Sequence, residues 1–433
     1  MMNKKGKENM KECQTKKWIK EYLIGTFGRI IVGVFIGFFA MCLVYLLPVE
    51  EMKNNALMAK DMISEISTTY SIFEMKSTML DNYTDSIMVS TAICPKEASV
   101  FEKVVYNYHI SYLRGYLEQE NLTRYLCGEE GHGYTYYSHY WNGYLLFLKP
   151  LLMIFEYNDV LLINFMAQMT LFIWVIAGMV KRNKEWLVVP FVITVLSIGA
   201  PSATGLSLQL SDVYYVALFG CGILVWNYER LNHKKIYFLF LILGMMTSFF
   251  DFLTYPLFAL GIPLIICLAC DNQSNVWKSV LRTITNSMGW SVGYIGMWLG
   301  KGIIGSLMYP ESQALETGIG HFFMRSSKNV SGEMVGFFDV LMENVFVYLN
   351  WPMAFVLIVT VMFFFIKMIK GKHLNKRSIM KAIPYLIICV YPFAWYMLMK
   401  NHSYIHAFMV YRILGVAVFS GLSFLATITK KEE

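Results

Sequence analysis

Two aspartates stand four residues apart in the segment LDNYTDSIM at positions 80–88. On a helix this spacing places Asp81 and Asp85 on one face, where their like charges repel and raise the pKa of one carboxyl group. Such a group can act as a general base beside a partner acid or a metal ligand. The alternative is a solvated stretch of an acid-rich loop. Both aspartates are therefore candidate catalytic residues.

A second polar cluster lies near the end of the chain, in the segment KNHSYIHAFMVYR at positions 400–412. His402 and His406 are one helical turn apart and could share a metal ion, although further ligands would have to come from elsewhere. Arg412 needs an anionic partner, and a lipid phosphate or pyrophosphate would suit its guanidinium group. The alternative is a set of cations that snorkel to lipid headgroups. The substrate-binding candidates of this segment are Lys400, His402, His406, Tyr411 and Arg412.

Two further segments place polar or aromatic groups beside apolar runs. YTYYSHYWNGY at 134–144 contains Tyr140 and Trp141, whose rings could stack on a sugar or contact a lipid tail. An aromatic belt at the level of the headgroups is the alternative. Asp251 lies in SFFDFLTYP, where it is either a site residue or a helix cap.

These residues belong to a chain with the composition of a membrane protein. Of the 433 residues 56% are hydrophobic and only 15% are charged, and the mean hydropathy is +0.46. Soluble domains carry roughly a quarter charged residues. The apolar runs predict an all-α, polytopic membrane protein of about ten transmembrane helices, with a retained first helix rather than a signal peptide. The predicted spans are 23–47, 159–180, 185–201, 211–229, 235–251, 254–270, 284–306, 345–367, 382–399 and 405–427.

The distribution of charge predicts the orientation of these helices. Most of the 37 lysines and arginines fall in the basic N-terminal segment 1–22 and in the short loops on the same side, so the positive-inside rule places both termini in the cytoplasm. The loops 48–158 and 307–344 are then extracytoplasmic, and the candidate residues gather on the outer face. Because the basic residues are spread over short loops, no nucleic-acid partner is expected. The whole chain, 1–433, is expected to form a single integral-membrane domain.

The outer loop 48–158 raises two further expectations. Its segment 142–156 is apolar but too short to span the bilayer, and it is interrupted by Lys149-Pro150, so an interfacial or re-entrant helix is expected. Cys94 and Cys127 lie in the same loop, and the sequence leaves open whether they pair. The use of a divalent metal ion is also left open.

In its arrangement the chain resembles the GT-C superfamily, the multi-spanning glycosyltransferases that use polyprenyl-phosphate sugars. The resemblance covers most of the chain: a cytoplasmic N-terminus, a first helix, a large first outer loop with an early acidic motif, interfacial helices and a run of further spans. The family often has its two acids adjacent or one residue apart, whereas DNYTD separates them by four.

The resemblance implies a function. It implies a cell-membrane enzyme that moves a sugar from a polyprenyl-phosphate donor to a glycan, lipid or protein acceptor of the envelope, with membrane lipids around it and the site facing outward. A loop aspartate, Asp81 or Asp85, would be the base that activates the acceptor hydroxyl. Arg412 would bind the donor phosphate, with His402, His406 and Lys400 as weaker candidates. The alternatives are a lipid-linked oligosaccharide flippase, a polymerase or another transporter, and an envelope protein without enzymatic activity.

Overall fold

The computed structural model describes residues 4–65, 69–71, 75–112, 115–271, 275–371 and 376–430. It is 78% helical, which confirms the all-α prediction. The helices are α1 Lys4–Tyr45, α2 Glu50–Leu57, α3 Lys60–Glu65, α4 Asn82–Ala92, α5 Val100–Tyr106, α6 Glu118–Leu126, α7 Leu145–Leu152, α8 Tyr157–Lys181, α9 Val188–Ser197, α10 Ser202–Leu206, α11 Leu208–Asn227, α12 His233–Phe250, α13 Leu257–Cys270, α14 Val276–Met308, α15 Ala314–Ser326, α16 Phe337–Tyr348, α17 Trp351–Gly371, α18 Lys376–Cys389, α19 Tyr391–Leu398, α20 Lys400–Ile405, α21 Ala407–Val410 and α22 Leu414–Ile428.

Short antiparallel hairpins are the β structure of the described residues. They pair β1 Thr69–Ser71 with β2 Met79–Asp81, β3 Tyr108–Tyr112 with β4 His132–Tyr136, and β5 Asn329–Val330 with β6 Glu333–Met334. Single 3₁₀ turns cover Lys76–Thr78, Glu185–Leu187, Tyr228–Arg230, Pro310–Ser312 and Tyr411–Ile413.

Six helical segments in the described part of the chain are long and apolar enough to cross a membrane, judged by length and composition. This agrees with a multi-pass membrane protein. The six are Lys20–Tyr45, Tyr157–Lys181, Leu208–Arg230, Trp351–Lys370, Ser378–Leu398 and Ala407–Ile428, and the shorter apolar helices Glu185–Ser197 and Leu257–Cys270 accompany them.

Two predicted segments that contain a proline differ from the structure. The expected helix 345–367 is divided, since α16 ends at Tyr348 and α17 begins at Trp351. Pro352 lies in the first turn of α17, where its missing N–H leaves no intrahelical bond unmade. In the segment 142–156, by contrast, Pro150 lies inside α7 near its end and does not interrupt it.

The glycines of α14 allow close helix contact, as their four-residue spacing indicates. A Cβ atom added at Gly293 would lie 2.0 Å from the carbonyl oxygen of Leu241, and one at Gly244 would lie 1.9 Å from that of Trp290. Helices α12 and α14 therefore touch through their backbones. Gly296 and Gly300 serve a second contact, against Ile30 and Val34 of α1.

Residues 50–152 form a layer, called the loop layer here, over one end of the bundle. It contains α2 to α7 and β1 to β4, and its helices pack against α1, α11 and α14. Its buried apolar side chains form a core of their own with residues of α1 and α12. In this layer Cys94 and Cys127 are separate free thiols.

Candidate functional site

Asp81 caps the helix that follows it. It ends β2 and is the N-cap of α4, where Oδ1 accepts a hydrogen bond from Thr84 N at 3.0 Å and Oδ2 accepts one from Thr84 Oγ1 at 2.8 Å. The residue is 6% exposed. Burial raises the pKa of this carboxyl group, and the hydrogen bonds from Thr84 oppose the rise. All of the hydrogen bonds given above come from within its own first helical turn.

Asp85 caps a helix other than its own. Its carboxylate accepts hydrogen bonds from Leu208 N and Gln209 N, each at 2.9 Å, and from Ser207 Oγ at 3.2 Å. These N–H groups begin α11, so Asp85 joins the loop layer to a long helix of the bundle. Burial raises its pKa to about 7; the bonds from Gln209 and Leu208 oppose this, and the charge of Asp81 adds to it. The like-charge repulsion that the four-residue spacing predicts thus makes a smaller contribution than burial to the raised pKa of Asp85.

Two buried lysines donate hydrogen bonds to carbonyl oxygens at or near the C-terminal ends of helices. Lys149 donates to Ala92 O at 2.7 Å, at the end of α4, and Lys301 donates to Val105 O at 3.0 Å, near the end of α5. Carbonyl oxygens at a helix C-terminus lack intrahelical partners and favour a positive charge. Both lysines are thereby accounted for by helix capping.

Arg412, the predicted phosphate ligand, is completely buried and belongs to the same pattern. Its Nε donates to Ile198 O, the residue after α9, and its Nη1 donates to Phe408 O, each at 2.9 Å. It lines neither of the two cavities described below. The hydrogen bonds of Arg412 link the end of α9 to α21, while its Nη2 is buried without a hydrogen-bond partner among the residues described.

The other candidates of the segment 400–412 have structural contacts. His402 and His406 have ring centroids 4.8 Å apart, and His402 Nε2 lies 2.7 Å from Leu253 O. Tyr411 donates its hydroxyl to Ser77 O at 2.5 Å, and Lys400 binds Met397 O. Within the described ranges, no three His, Cys, Asp or Glu side chains are close enough to hold a metal ion.

An apolar cavity of about 830 Å³, called the α14 groove here, lies between α13, α14, α15 and α19. Along α14 its lining runs from Ile284 to Trp298, which at the helical rise is roughly 21 Å. Met288 and Ile295 in this wall are 61% and 52% exposed. The groove therefore opens along the exposed side of α14.

The end of the α14 groove beside the loop layer is polar. Arg325, near the end of α15, donates a hydrogen bond to the hydroxyl of Tyr140. The rings of His139 and His321 stack with centroids 4.4 Å apart at 19°. Burial, reinforced by the positive charges of His321 and Arg325, lowers the pKa of His139 to about 3, so its ring is neutral at ordinary pH. His139 Nε2 and His321 Nδ1 are buried and have no hydrogen-bond partner among the residues described.

Arg325 differs from Lys149, Lys301 and Arg412 in its hydrogen-bond partner, which is the hydroxyl of a groove residue rather than a carbonyl oxygen at a helix end. Across the described part of the chain, no carboxylate oxygen forms an ion pair with it within 4.0 Å. A guanidinium group beside two ring nitrogens with unused hydrogen-bonding capacity is suited to an anion, above all a phosphate. The polar end of the α14 groove is therefore the candidate binding site.

One residue that the sequence prediction named lies in this candidate site, and Arg325 was not among the residues it named. Tyr140 lines the α14 groove as a candidate binding residue should, whereas Trp141 is buried and donates Nε1–H to Met297 O at 2.8 Å. Asp251 has the contacts of a cap, accepting from Thr254 N at 2.9 Å. Arg325 and His321 were missed because 307–344 was treated as a loop; the four-residue spacing in HFFMR was the available signal.

Comparison with protein-family models, curated proteins and solved structures finds no match for this chain.

Proposed function

We propose that the chain is a membrane glycosyltransferase of GT-C type that takes its sugar from a polyprenyl-phosphate donor. The observation that carries this proposal is the α14 groove, an apolar channel along the side of the bundle that ends at Arg325, an arginine with no carboxylate partner among the described residues. A polyprenyl chain suits the apolar length, and its phosphate suits Arg325, His139 and His321. In this proposal about ten helices span the membrane and the loop layer lies outside the cell.

The proposed reaction is an inverting transfer. Asp81 takes the proton from an acceptor hydroxyl, the hydroxyl oxygen bonds to the anomeric carbon, and the bond from that carbon to the phosphate oxygen breaks. Arg325 stabilises the charge of the leaving phosphate. Asp81 is assigned as the base rather than Asp85, because the hydrogen bonds of Asp81 come from Thr84 in its own first helical turn, whereas those of Asp85 hold the N-terminus of a separate helix, α11. The acceptor is a glycan, lipid or protein of the envelope.

The phosphate site can be tested by lipid binding. Native mass spectrometry of the purified chain with undecaprenyl phosphate and with undecaprenol isolates the contribution of the phosphate. Charge-assisted hydrogen bonds contribute roughly 1.5–3 kcal/mol, so the wild-type chain should prefer the phosphate by about tenfold or more. Arg325→Gln should lose this preference and still bind undecaprenol. Arg124→Gln, which removes a loop-layer arginine paired with Glu129, is the matched control. Equal binding of both lipids by the wild type would refute the phosphate site.

Transfer itself requires a second experiment. Envelope glycans are compared between wild-type cells and cells that carry Asp81→Asn, with Asp61→Asn, an exposed carboxyl of α3, as the control. The proposal predicts that a glycan is missing in the Asp81 variant while the protein is present at its normal level. An unchanged glycan profile would exclude the enzymatic role. Precursors that accumulate on the inner leaflet would instead identify a flippase, which the same groove could also serve.

A further inference from the structure

A second cavity, called the α11 cavity here, lies on another side of the bundle between α7, α8, α11 and α12. Its volume is about 320 Å³, near the lower end of the range for small-molecule sites. Its walls are almost entirely apolar. Phe147 and Phe219 in these walls are 62% and 42% exposed, so the cavity opens toward the lipid-facing side.

One acidic side chain interrupts these apolar walls. Asp212 lies on α11 about one turn after the helix begins, and its Oδ2 is buried without a hydrogen-bond partner in the described part of the chain. The neighbouring polar groups bond to one another instead: Asn164 donates to Ser211 Oγ at 2.8 Å, and Tyr215 donates to Asn164 Oδ1 at 2.8 Å. Asp212 therefore stands outside the local network.

The surrounding charges determine which ligand would suit Asp212. The ionisable groups that act on it are Asp251 and Asp85, which are both acids. Asp85 is bound to the first N–H groups of α11, and Asp251 to Thr254, so neither can donate to Asp212. No lysine, arginine or histidine among the described residues forms an ion pair with it. Apolar surroundings and nearby acids both disfavour the ionised form of Asp212 in the absence of a ligand, so a cation that pairs with the carboxylate would stabilise its charge.

We propose that the α11 cavity binds a single-chain amphiphile with a primary ammonium head, which pairs with Asp212 while the apolar chain fills the cavity toward Phe219. From Asp212 to Phe219 the helix rises roughly 10 Å, which a medium-length alkyl chain can follow. The site is separate from the α14 groove, and it does not depend on the proposed glycosyl transfer.

The test uses photoaffinity labelling of the full chain in detergent. A diazirine analogue of dodecylamine is compared with the matching analogue of dodecanol, and labelled peptides of α8 and α11 are quantified by mass spectrometry. The ammonium adds a charge-assisted hydrogen bond, so the amine should label the wild type about tenfold more than the alcohol. Asp212→Asn should bring this ratio to about one while labelling by the alcohol continues, and Asp212→Glu should keep the preference.

Two outcomes would overturn the proposal. The first is equal labelling by amine and alcohol in the wild type, or an amine preference that survives in Asp212→Asn. The second comes from Ala167→Phe, which fills the cavity from α8: amine labelling that persists in this variant would place the amine elsewhere. If Asp212→Asn does not fold, the Asp212→Glu and Ala167→Phe variants still test the site. The site is refuted if Asp212→Glu loses the preference for the amine over the alcohol, or if Ala167→Phe keeps it.

Discussion

Asp85 should make the stability of the protein depend on pH in a defined direction. The perturbation is Asp85→Asn, which retains the size of the side chain and an oxygen that can accept from Leu208 N or Gln209 N. It removes the ionisable group that joins α4 to the start of α11. Asp61→Asn is the matched control, because Asp61 is an exposed carboxyl of α3.

The magnitude follows from the pKa of Asp85, which burial raises from 3.8 to about 7 in the folded protein. Between these values the unfolded chain releases the proton and the folded chain retains it. The folded state therefore binds more protons, and stability falls as the pH rises. From about pH 5 to about pH 8 this linkage removes roughly 2.5 kcal/mol from the free energy of unfolding.

The assay is equilibrium unfolding in mixed micelles of a mild detergent and SDS, across the same pH range. Other groups also titrate there, and buried histidines such as His139 act in the opposite direction because burial lowers their pKa. The informative quantity is thus the difference between wild type and variant at each pH. We expect this difference to shift in favour of Asp85→Asn by roughly 2.5 kcal/mol as the pH rises. A difference that is constant with pH, or that shifts in favour of the wild type, would refute the reasoning.

Two other predictions concern contacts that the structure assigns to folding. Arg412→Gln should reduce the amount of folded protein, because Ile198 O and Phe408 O lose their hydrogen-bond donor. The protein that still folds should retain the preference for undecaprenyl phosphate over undecaprenol. Loss of this preference would show that Arg412 binds the phosphate. Gly293→Leu should abolish a monodisperse peak in size-exclusion chromatography, because its Cβ would lie 2.0 Å from Leu241 O, while Gly28→Leu, with open space around it, should elute as the wild type does.

The sequence predicts the helices of this protein better than it predicts their ends. Hydropathy identifies α8 and α11 closely, because lipid requires an unbroken apolar run of about twenty residues. The helices α15 and α16 were missed in 307–344, since they are too short or too polar to register as spans. Arg325 was missed with them. A short or polar helix leaves a weaker hydropathy signal in the sequence than a long apolar one.

The roles of the buried charges could not be read from local spacing. Asp85 and Arg412 stand where a charged residue near a membrane suggests function. Their partners are 123 and 214 residues away in the chain, at the ends of α11 and α9. Helix ends leave N–H and C=O groups unsatisfied, and in an apolar interior a charged side chain is an effective partner for them. Only the folded chain shows which charges are used in this way.

The distinction between capping and unmatched charges also bears on Asp251, which the sequence left as either a site residue or a cap. Its carboxylate holds the turn between α12 and α13 through Thr254 N. Phe250, before it, lines the α11 cavity, and Leu253, after it, lines the α14 groove. The hydrogen bond between Thr254 N and Asp251 therefore helps to position one wall residue of each cavity. Arg325 lies in one cavity and Asp212 in the other, and neither forms an ion pair among the described residues, which is why these two side chains are the ones proposed to bind ligands.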